Sequence, residues 1–247
     1  KPDLRYALHM SDLSDIAGNT ELRVFRSVLE NQGLVKGFAV PKCADYSRRE
    51  IDELTNLAKS RGAQGLVTIA LTGNSGDLKN LTEDQIKSPV AKFLSLDQVK
   101  SIASRMDADI GDLIFIIAGE SKTTNMALSS LREEMGRRLG LADPNLIAFA
   151  FIVDFPLLEW RPDDNRWDST HNPFSSPKST DLHLLDTNPE LVRANQYDLV
   201  CNGLEIGGGS IRNHNREIQE KIFRLLGHSQ AQMQDQFGQI LVLRAIQ

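Results

Sequence analysis

One short segment of the chain brings together two carboxylates, three consecutive glycines and an arginine. It reads YDLVCNGLEIGGGSIRNH, from Tyr197 to His214. Asn202 and Gly203 form the dipeptide of a two-residue hairpin loop, because both residues tolerate the positive φ angles of a type I′ turn. The segment is therefore predicted to be two antiparallel strands joined by a tight turn.

Counting outward from this turn predicts which side chains share a face. Val200 then faces Glu205, and Asp198 faces Gly207, so all four lie on one side of the ribbon. Asp198 and Glu205 become diagonal neighbours, and two carboxylates this close supply the hard oxygen ligands that Mg²⁺ prefers. We interpret them as a metal-binding pair. For an isolated Asp and Glu, two solvated side chains without function are an equally good interpretation.

The glycine run and the arginine after it indicate ligand binding at the same strand. Gly207, Gly208 and Gly209 offer no side chains to pack, which indicates a bulge, a simple bend, or a ligand lying directly on the backbone. The run lacks the GxxxxGK[ST] spacing of a phosphate-binding loop. The guanidinium of Arg212 suits a carboxylate or phosphate. Strict alternation from Glu205 turns Arg212 to the opposite face unless the glycines insert a bulge, and an exposed arginine without a ligand is the alternative.

His171 is a second candidate for ligand binding. It opens the turn-forming run His-Asn-Pro-Phe and could place a hydrogen-bonding or titrating ring at the mouth of a pocket. A lone histidine in a loop is more often a surface residue without function. None of the other histidines has the spacing of a zinc site.

Capping signals and periodicity predict an α+β arrangement of the elements that position these residues. Ser47 with Glu50 and Ser95 with Gln98 have the spacing of capping boxes, which open helices. Apolar runs predict strands, and apolar residues three to four apart predict a long amphipathic helix. The predicted strands are at 35–40, 65–71, 112–118 and 146–155, and the predicted helices at 48–59, 96–106 and 121–139.

The composition is that of a globular protein. Of 247 residues, 40% are hydrophobic and 25% charged, which excludes disordered and collagen-like chains. A net charge of -5 argues against a surface devoted to nucleic acid. Cys43 and Cys201 are too few and too far apart for a disulfide framework, which favours a reducing compartment. No run approaches the roughly 18 apolar residues of a membrane span, so no membrane association is expected.

Several of these runs resemble bacterial-type aspartyl-tRNA synthetase, a class II enzyme, and the resemblance covers nearly the whole chain. KPDLR resembles the segment that enters the insertion of that family, and KSPVAKFLS resembles the insertion itself, the GAD domain. The catalytic domain is resembled by IVDFPLLEW, HNPFSSPK and YDLVCNGLEIGGGSIR. The implied fold is part of an antiparallel catalytic sheet flanked by helices and interrupted by an inserted α+β domain. The implied domains are 1–20, 21–115 and 116–247, with the helix at 121–139 returning to the catalytic sheet.

The resemblance also implies an activity. The family activates aspartate with ATP to aspartyl-adenylate and transfers it to tRNA. Carried over by position, Glu205 binds ATP through Mg²⁺ with Asp198 as its companion, while Arg212 and His171 bind the aspartate. The resemblance also implies that the parent protein is a cytoplasmic homodimer, with a mitochondrial source as the alternative location.

Two functional classes follow from the resemblance. The three class-defining motifs are not found in the chain; two are expected before Lys1 and one after Gln247, so the chain alone is expected to be inactive. The alternative is a non-catalytic module that binds tRNA or a protein partner through a basic surface. The basic residues on the helices at 48–59 and 121–139 alternate with acidic ones, which favours solvated helix faces over an RNA footprint.

Overall fold

Two structural units are seen in the computed structural model, which describes residues 1–73 and 76–243. The larger unit is Arg5–Pro144, and the smaller one combines Lys1–Leu4 with the chain from Asn145 on. Two stretches lie outside the described residues: 74–75 in the predicted 21–115 domain, and the last four residues of the predicted 116–247 domain. The predicted α+β class is confirmed by antiparallel sheets and helices in both units.

The larger unit is built on a five-stranded antiparallel sheet. Its elements in chain order are β1 (Ser11–Asp12), α1 (Ser14–Ala17), α2 (Arg23–Glu30), β2 (Leu34–Val40), α3 (Arg48–Ser60), β3 (Val67–Leu71), β4 (Ile86–Lys87), α4 (Leu96–Arg105), β5 (Leu113–Gly119) and α5 (Ser121–Arg138). The strands lie in the order β1-β2-β5-β3-β4. Both predicted capping boxes are confirmed at the first residues of α3 and α4.

Each face of this sheet carries its own apolar core. In β5, Phe115 and Ile117 point into the cluster that holds α3 and α5, while Ile114 and Ile116 point into the cluster that holds α2 and α4. This follows from the period of two in a strand, and it explains why β5 is apolar at nearly every position. Helix α5 packs into the first cluster through Leu128. The 21–115 range lies inside this unit and stays a prediction.

The smaller unit contains a three-stranded antiparallel sheet of order β10-β9-β6 and a separate two-stranded hairpin. Its elements are β6 (Phe149–Ile152), β7 (Leu158–Arg161), β8 (Arg166–Ser169), a 3₁₀ segment (Ser179–Asp186), β9 (Gln196–Cys201), β10 (Leu204–Ser210), α6 (Arg216–Leu225) and α7 (Gln230–Leu243). Its core packs Leu157, Leu185, Val192 and Ile222 together. Among the described residues, no helix is long and apolar enough to cross a membrane.

Strand β6 differs from its prediction. The sequence predicts a buried strand at 146–155, whereas β6 covers only four residues. Phe149 and Phe151 are 56% and 64% exposed, because they lie on the face of the sheet opposite to Ala150 and Ile152.

Candidate functional site

The β9–β10 hairpin turns at the predicted dipeptide. Asn202 has φ 50° and Gly203 has φ 81°, the positive values that this two-residue turn requires. The side chain of Asn202 also fixes the hairpin to the start of β6. Its Oδ1 accepts from the backbone N–H of Ala148 at 2.8 Å, and its Nδ2 donates to the carbonyl of Leu146 at 3.0 Å.

The strand pairing follows the prediction for two pairs and then shifts by one residue. Glu205 faces Val200 as predicted, but the register is irregular between Glu205 and Gly207, and Asp198 faces Gly208. The predicted pairing of Asp198 with Gly207 is therefore wrong. The cause is a β-bulge, which places an extra residue in one strand. The glycine run permits the bulge because it has no side chains to clash.

The bulge changes which residues share the face of Asp198. Beyond it, alternation puts Gly208, Ser210 and Arg212 on that face. A bulge in the glycine run is what the sequence analysis requires for Arg212 to face the same side as Glu205. The contacts agree with this geometry: Arg212 Nη1 donates to Ser210 Oγ at 2.7 Å. Ser175 Oγ also donates to Ser210 Oγ, at 2.9 Å. Arg212 is exposed, so its guanidinium is accessible to a ligand.

The two predicted carboxylates share one cation, the ammonium of Lys1. Lys1 Nζ lies 2.5 Å from Asp198 Oδ2 and 3.0 Å from Glu205 Oε2. The Asp198 side chain is only 6% exposed, whereas that of Glu205 is 47% exposed. Hydrogen bonds to Asp198 first, and then to Glu205, raise the pKa of the Lys1 ammonium above its ordinary value. The pair thus combines one buried and one accessible carboxylate that contact the same ammonium.

Phe155 connects His171 to this cation. The ring of Phe155 lies edge-to-face against the ring of His171, with 4.9 Å between centroids. Lys1 Nζ lies 5.9 Å from the Phe155 centroid, which is within range of a cation–π interaction. His171 itself is exposed. The chain thus places His171 at the edge of the same cluster without a direct contact to either carboxylate.

Each glycine of the run is in a different environment. A Cβ added at Gly208 would lie 2.9 Å from Asp198 Oδ1, so the buried carboxylate occupies the space of that side chain. At Gly209 it would lie 3.0 Å from the hydroxyl of Tyr197. At Gly207 it would meet nothing within 4 Å. Packing among the described residues therefore explains glycine at 208 and 209 but leaves Gly207 unexplained.

The two carboxylates are a donor set of the kind that Mg²⁺ prefers. Asp198 and Glu205 both reach one cation, so an ion of opposite charge to the pair can be held between them. Among the described residues there is no group of three or more His, Cys, Asp or Glu that could hold a metal. Proteins usually bind Mg²⁺ through one or two carboxylates, and water molecules and substrate phosphates supply the other ligands.

A second ion pair braces the segment that leads to β9. Arg193 Nε donates to Asp181 Oδ2 at 2.7 Å, and Arg193 Nη2 donates to Asp181 Oδ1 at 2.8 Å. This two-pronged contact, together with a hydrogen bond from Thr180, holds the pKa of Asp181 well below its usual range. Asp181 is buried, and the pair ties the 3₁₀ segment to the residues just before β9. Neither residue is predicted from the sequence, because an Asp and an Arg twelve positions apart form no known pattern.

Three of the basic residues on α3 and α5 are paired with acidic neighbours. Arg49 contacts Glu53 at 3.2 Å, while Arg137 and Arg138 contact Glu134 at 2.8 and 2.6 Å. These contacts support the interpretation of solvated, charge-paired helix faces.

Comparisons with known proteins agree with the predicted resemblance. The GAD domain family matches residues 25–128. An aspartate–tRNA(Asp/Asn) ligase of Dehalococcoides mccartyi is 44% identical over 241 residues, which are 98% of this chain and 40% of that protein. Ligases of the same name from Moorella thermoacetica and Thermoanaerobacter pseudethanolicus are each 43% identical, over 98% and 96% of this chain and 38% of their own length. The chain thus spans about 40% of the length of the curated relatives that it matches.

Proposed function

We propose that this chain, which is similar to bacterial aspartate–tRNA(Asp/Asn) ligases over a region that includes a match to the GAD domain family, contributes to aspartate activation. In the proposed reaction, aspartate and ATP form aspartyl-adenylate, and the aspartyl group is then transferred to tRNA. The observation that supports this most strongly is the cation-bridged pair of Asp198 and Glu205 beside the bulged glycine strand.

Asp198 and Glu205 would hold Mg²⁺, and Glu205 would meet the phosphates of ATP. The accessible carboxylate of Glu205 can reach a ligand in solvent, whereas the buried carboxylate of Asp198 has a fixed position. When bound, the ion would neutralise the charge of the phosphates. Because carboxylates and phosphates repel each other, ATP would not bind beside this pair without a cation.

Arg212 and His171 would bind the aspartate. Ser210 accepts a hydrogen bond from Nη1 of Arg212 and so orients the guanidinium, whose other N–H groups can donate to a carboxylate. The ring of His171 lies against Phe155 and the residue is exposed, and in the proposed site its nitrogens would form hydrogen bonds with a ligand. In addition, Gly207, Gly208 and Gly209 would give the ligand access to the backbone, and Gly207 is the position where the observed packing requires no glycine.

The remaining parts of the proposal rest on the family. The ligase would act as a cytoplasmic homodimer and bind tRNA. The predicted insertion at 21–115 would form its GAD domain, and 116–247 would belong to its catalytic domain. The relatives are named as ligases for tRNA(Asp/Asn), so both tRNAs are the substrates to test.

Aspartate-dependent exchange of pyrophosphate into ATP, measured with Mg²⁺, tests the adenylation step. We would compare this chain with a full-length ligase that contains it, each with and without Glu205→Ala. We expect exchange by the full-length protein and none by the chain alone. In the full-length Glu205→Ala variant the exchange rate should fall by about two orders of magnitude, as it does when other groups that stabilise transition-state charge are removed. An unchanged rate in the Glu205→Ala ligase would remove Glu205 from the site. If the full-length protein shows no exchange and the chain binds tRNA, the non-catalytic module is the better assignment.

A further inference from the structure

We infer that the Lys1 ammonium is a built-in counter-ion that occupies the Asp198–Glu205 seat and competes with Mg²⁺ for it. The inference rests on the proposed function, since it takes these two carboxylates as the metal seat. It adds a residue that the sequence patterns did not single out. Lys1 would set how tightly the seat binds a divalent cation before any ligand arrives.

The geometry supports direct competition. Lys1 Nζ contacts one oxygen of each carboxylate, at 2.5 and 3.0 Å, and those oxygens face a common point. A metal ion ligated by both carboxylates would need the same space. Two positive charges at such a short separation repel strongly, so the ammonium and the ion cannot share the seat.

Burial explains why the seat needs a cation at all times. The Asp198 side chain is 6% exposed, and a carboxylate that deep is costly to leave without a partner. The Lys1 ammonium meets this need when no metal is present. Its own side chain is 33% exposed, so it can leave toward solvent without breaking the core.

Phe155 gives the displaced ammonium a neighbouring partner. Its ring already lies 5.9 Å from Lys1 Nζ. A cation–π contact does not depend on the carboxylates, so the lysine retains an attractive contact after the seat is taken. The same ring packs against His171, so replacing Lys1 by a metal would change the surroundings of this predicted aspartate-binding residue.

The test is the affinity of the chain for Mn²⁺, a spectroscopic substitute for Mg²⁺, measured by the loss of the EPR signal of the free ion. The variants are Lys1→Met, which removes the ammonium, and Lys1→Arg, which keeps the charge. Lys221→Met is the matched control, since Lys221 pairs with Asp186 instead. Asp198→Asn in the wild-type and Lys1→Met backgrounds tests the seat itself.

We expect Lys1→Met to tighten Mn²⁺ binding roughly two- to tenfold, the range for removing a competing ion pair that is partly exposed. Lys1→Arg and Lys221→Met should bind as the wild type does, and Asp198→Asn should abolish the tightened binding. If Asp198→Asn weakens binding while Lys1→Met leaves the affinity unchanged or lower, the competition is refuted and the metal seat survives. If no variant binds Mn²⁺, or Asp198→Asn changes nothing, the proposed seat is refuted as well.

Discussion

Replacing Gly208 with alanine should destabilise the smaller unit by pressing on the buried Asp198 carboxylate. The added Cβ would lie 2.9 Å from Asp198 Oδ1 and 3.2 Å from the carbonyl oxygen of Tyr197. Ordinary contact begins at 3.4 Å, so the carboxylate must move by about 0.5 Å. The added Cβ cannot move away from the carboxylate instead, because the carbonyl oxygen of Tyr197 is also too close. Overpacking of this kind costs about 1–3 kcal/mol, which is the expected loss in the free energy of unfolding.

Gly207→Ala is the matched control for this substitution, one residue away on the same strand. Its Cβ would meet nothing within 4 Å, so its stability should lie within about 0.5 kcal/mol of the wild type. Both tryptophans, Trp160 and Trp167, lie in the smaller unit. Tryptophan fluorescence during urea unfolding therefore reports on this unit alone. Equal midpoints and slopes for the two variants would refute the described packing of Gly208 against Asp198.

Three further substitutions test other parts of the structure. Asp181→Asn should lower stability at neutral pH, because Arg193 lowers the folded-state pKa of Asp181. The stability that the wild type gains is complete above the unfolded pKa of about 3.9 and decreases progressively as the pH falls from there toward the lower folded-state pKa. Urea unfolding from pH 7 to 2.5 should therefore show the difference between wild type and variant shrinking below pH ~4. Burial raises the folded-state pKa of Tyr46 to about 12, so the wild type should lose stability above pH ~10, where the tyrosine ionises only in the unfolded chain. Tyr46→Phe should not show this loss, and circular dichroism melts at pH 8 to 11 measure the difference. Gly37→Ala should lower the free energy of unfolding of the larger unit by about 3 kcal/mol or more, because its Cβ would lie 2.1 Å from the carbonyl oxygen of Phe115. Urea unfolding followed by far-UV circular dichroism would measure this loss.

Local signals in the sequence were sufficient to predict the hairpin and the helix starts. An Asn-Gly turn sets the register of the residues beside it, so the pairing of Val200 with Glu205 is correct. The capping boxes at Ser47 and Ser95 are satisfied within four residues, so tertiary structure does not change them. Short elements such as β1 and α1 lack any comparable signal, because two to four residues cannot show a period.

The bulge could be named as a possibility but not located. A glycine run permits a bulge at several positions with similar energy, and side-chain packing decides among them. Here the bulge lies between Glu205 and Gly207, so it leaves the predicted Glu205 pairing intact and moves Gly208 opposite Asp198. It also turns Arg212 to the carboxylate face. Sequence alternation alone would have separated Arg212 from the two acids that it accompanies.

Lys1 was beyond prediction for a different physical reason. Its contact with Asp198 joins residues 197 positions apart, and neither residue carries a local signal for the other. A buried carboxylate nevertheless demands a nearby cation, because leaving it unpaired costs several kcal/mol. The sequence predicts a metal ion as the partner of the two carboxylates, with two solvated side chains as the alternative, and the burial of Asp198 decides that a cation is needed. In the structure the cation is the Lys1 ammonium, and the same electrostatic demand supports the proposal that the pair binds Mg²⁺.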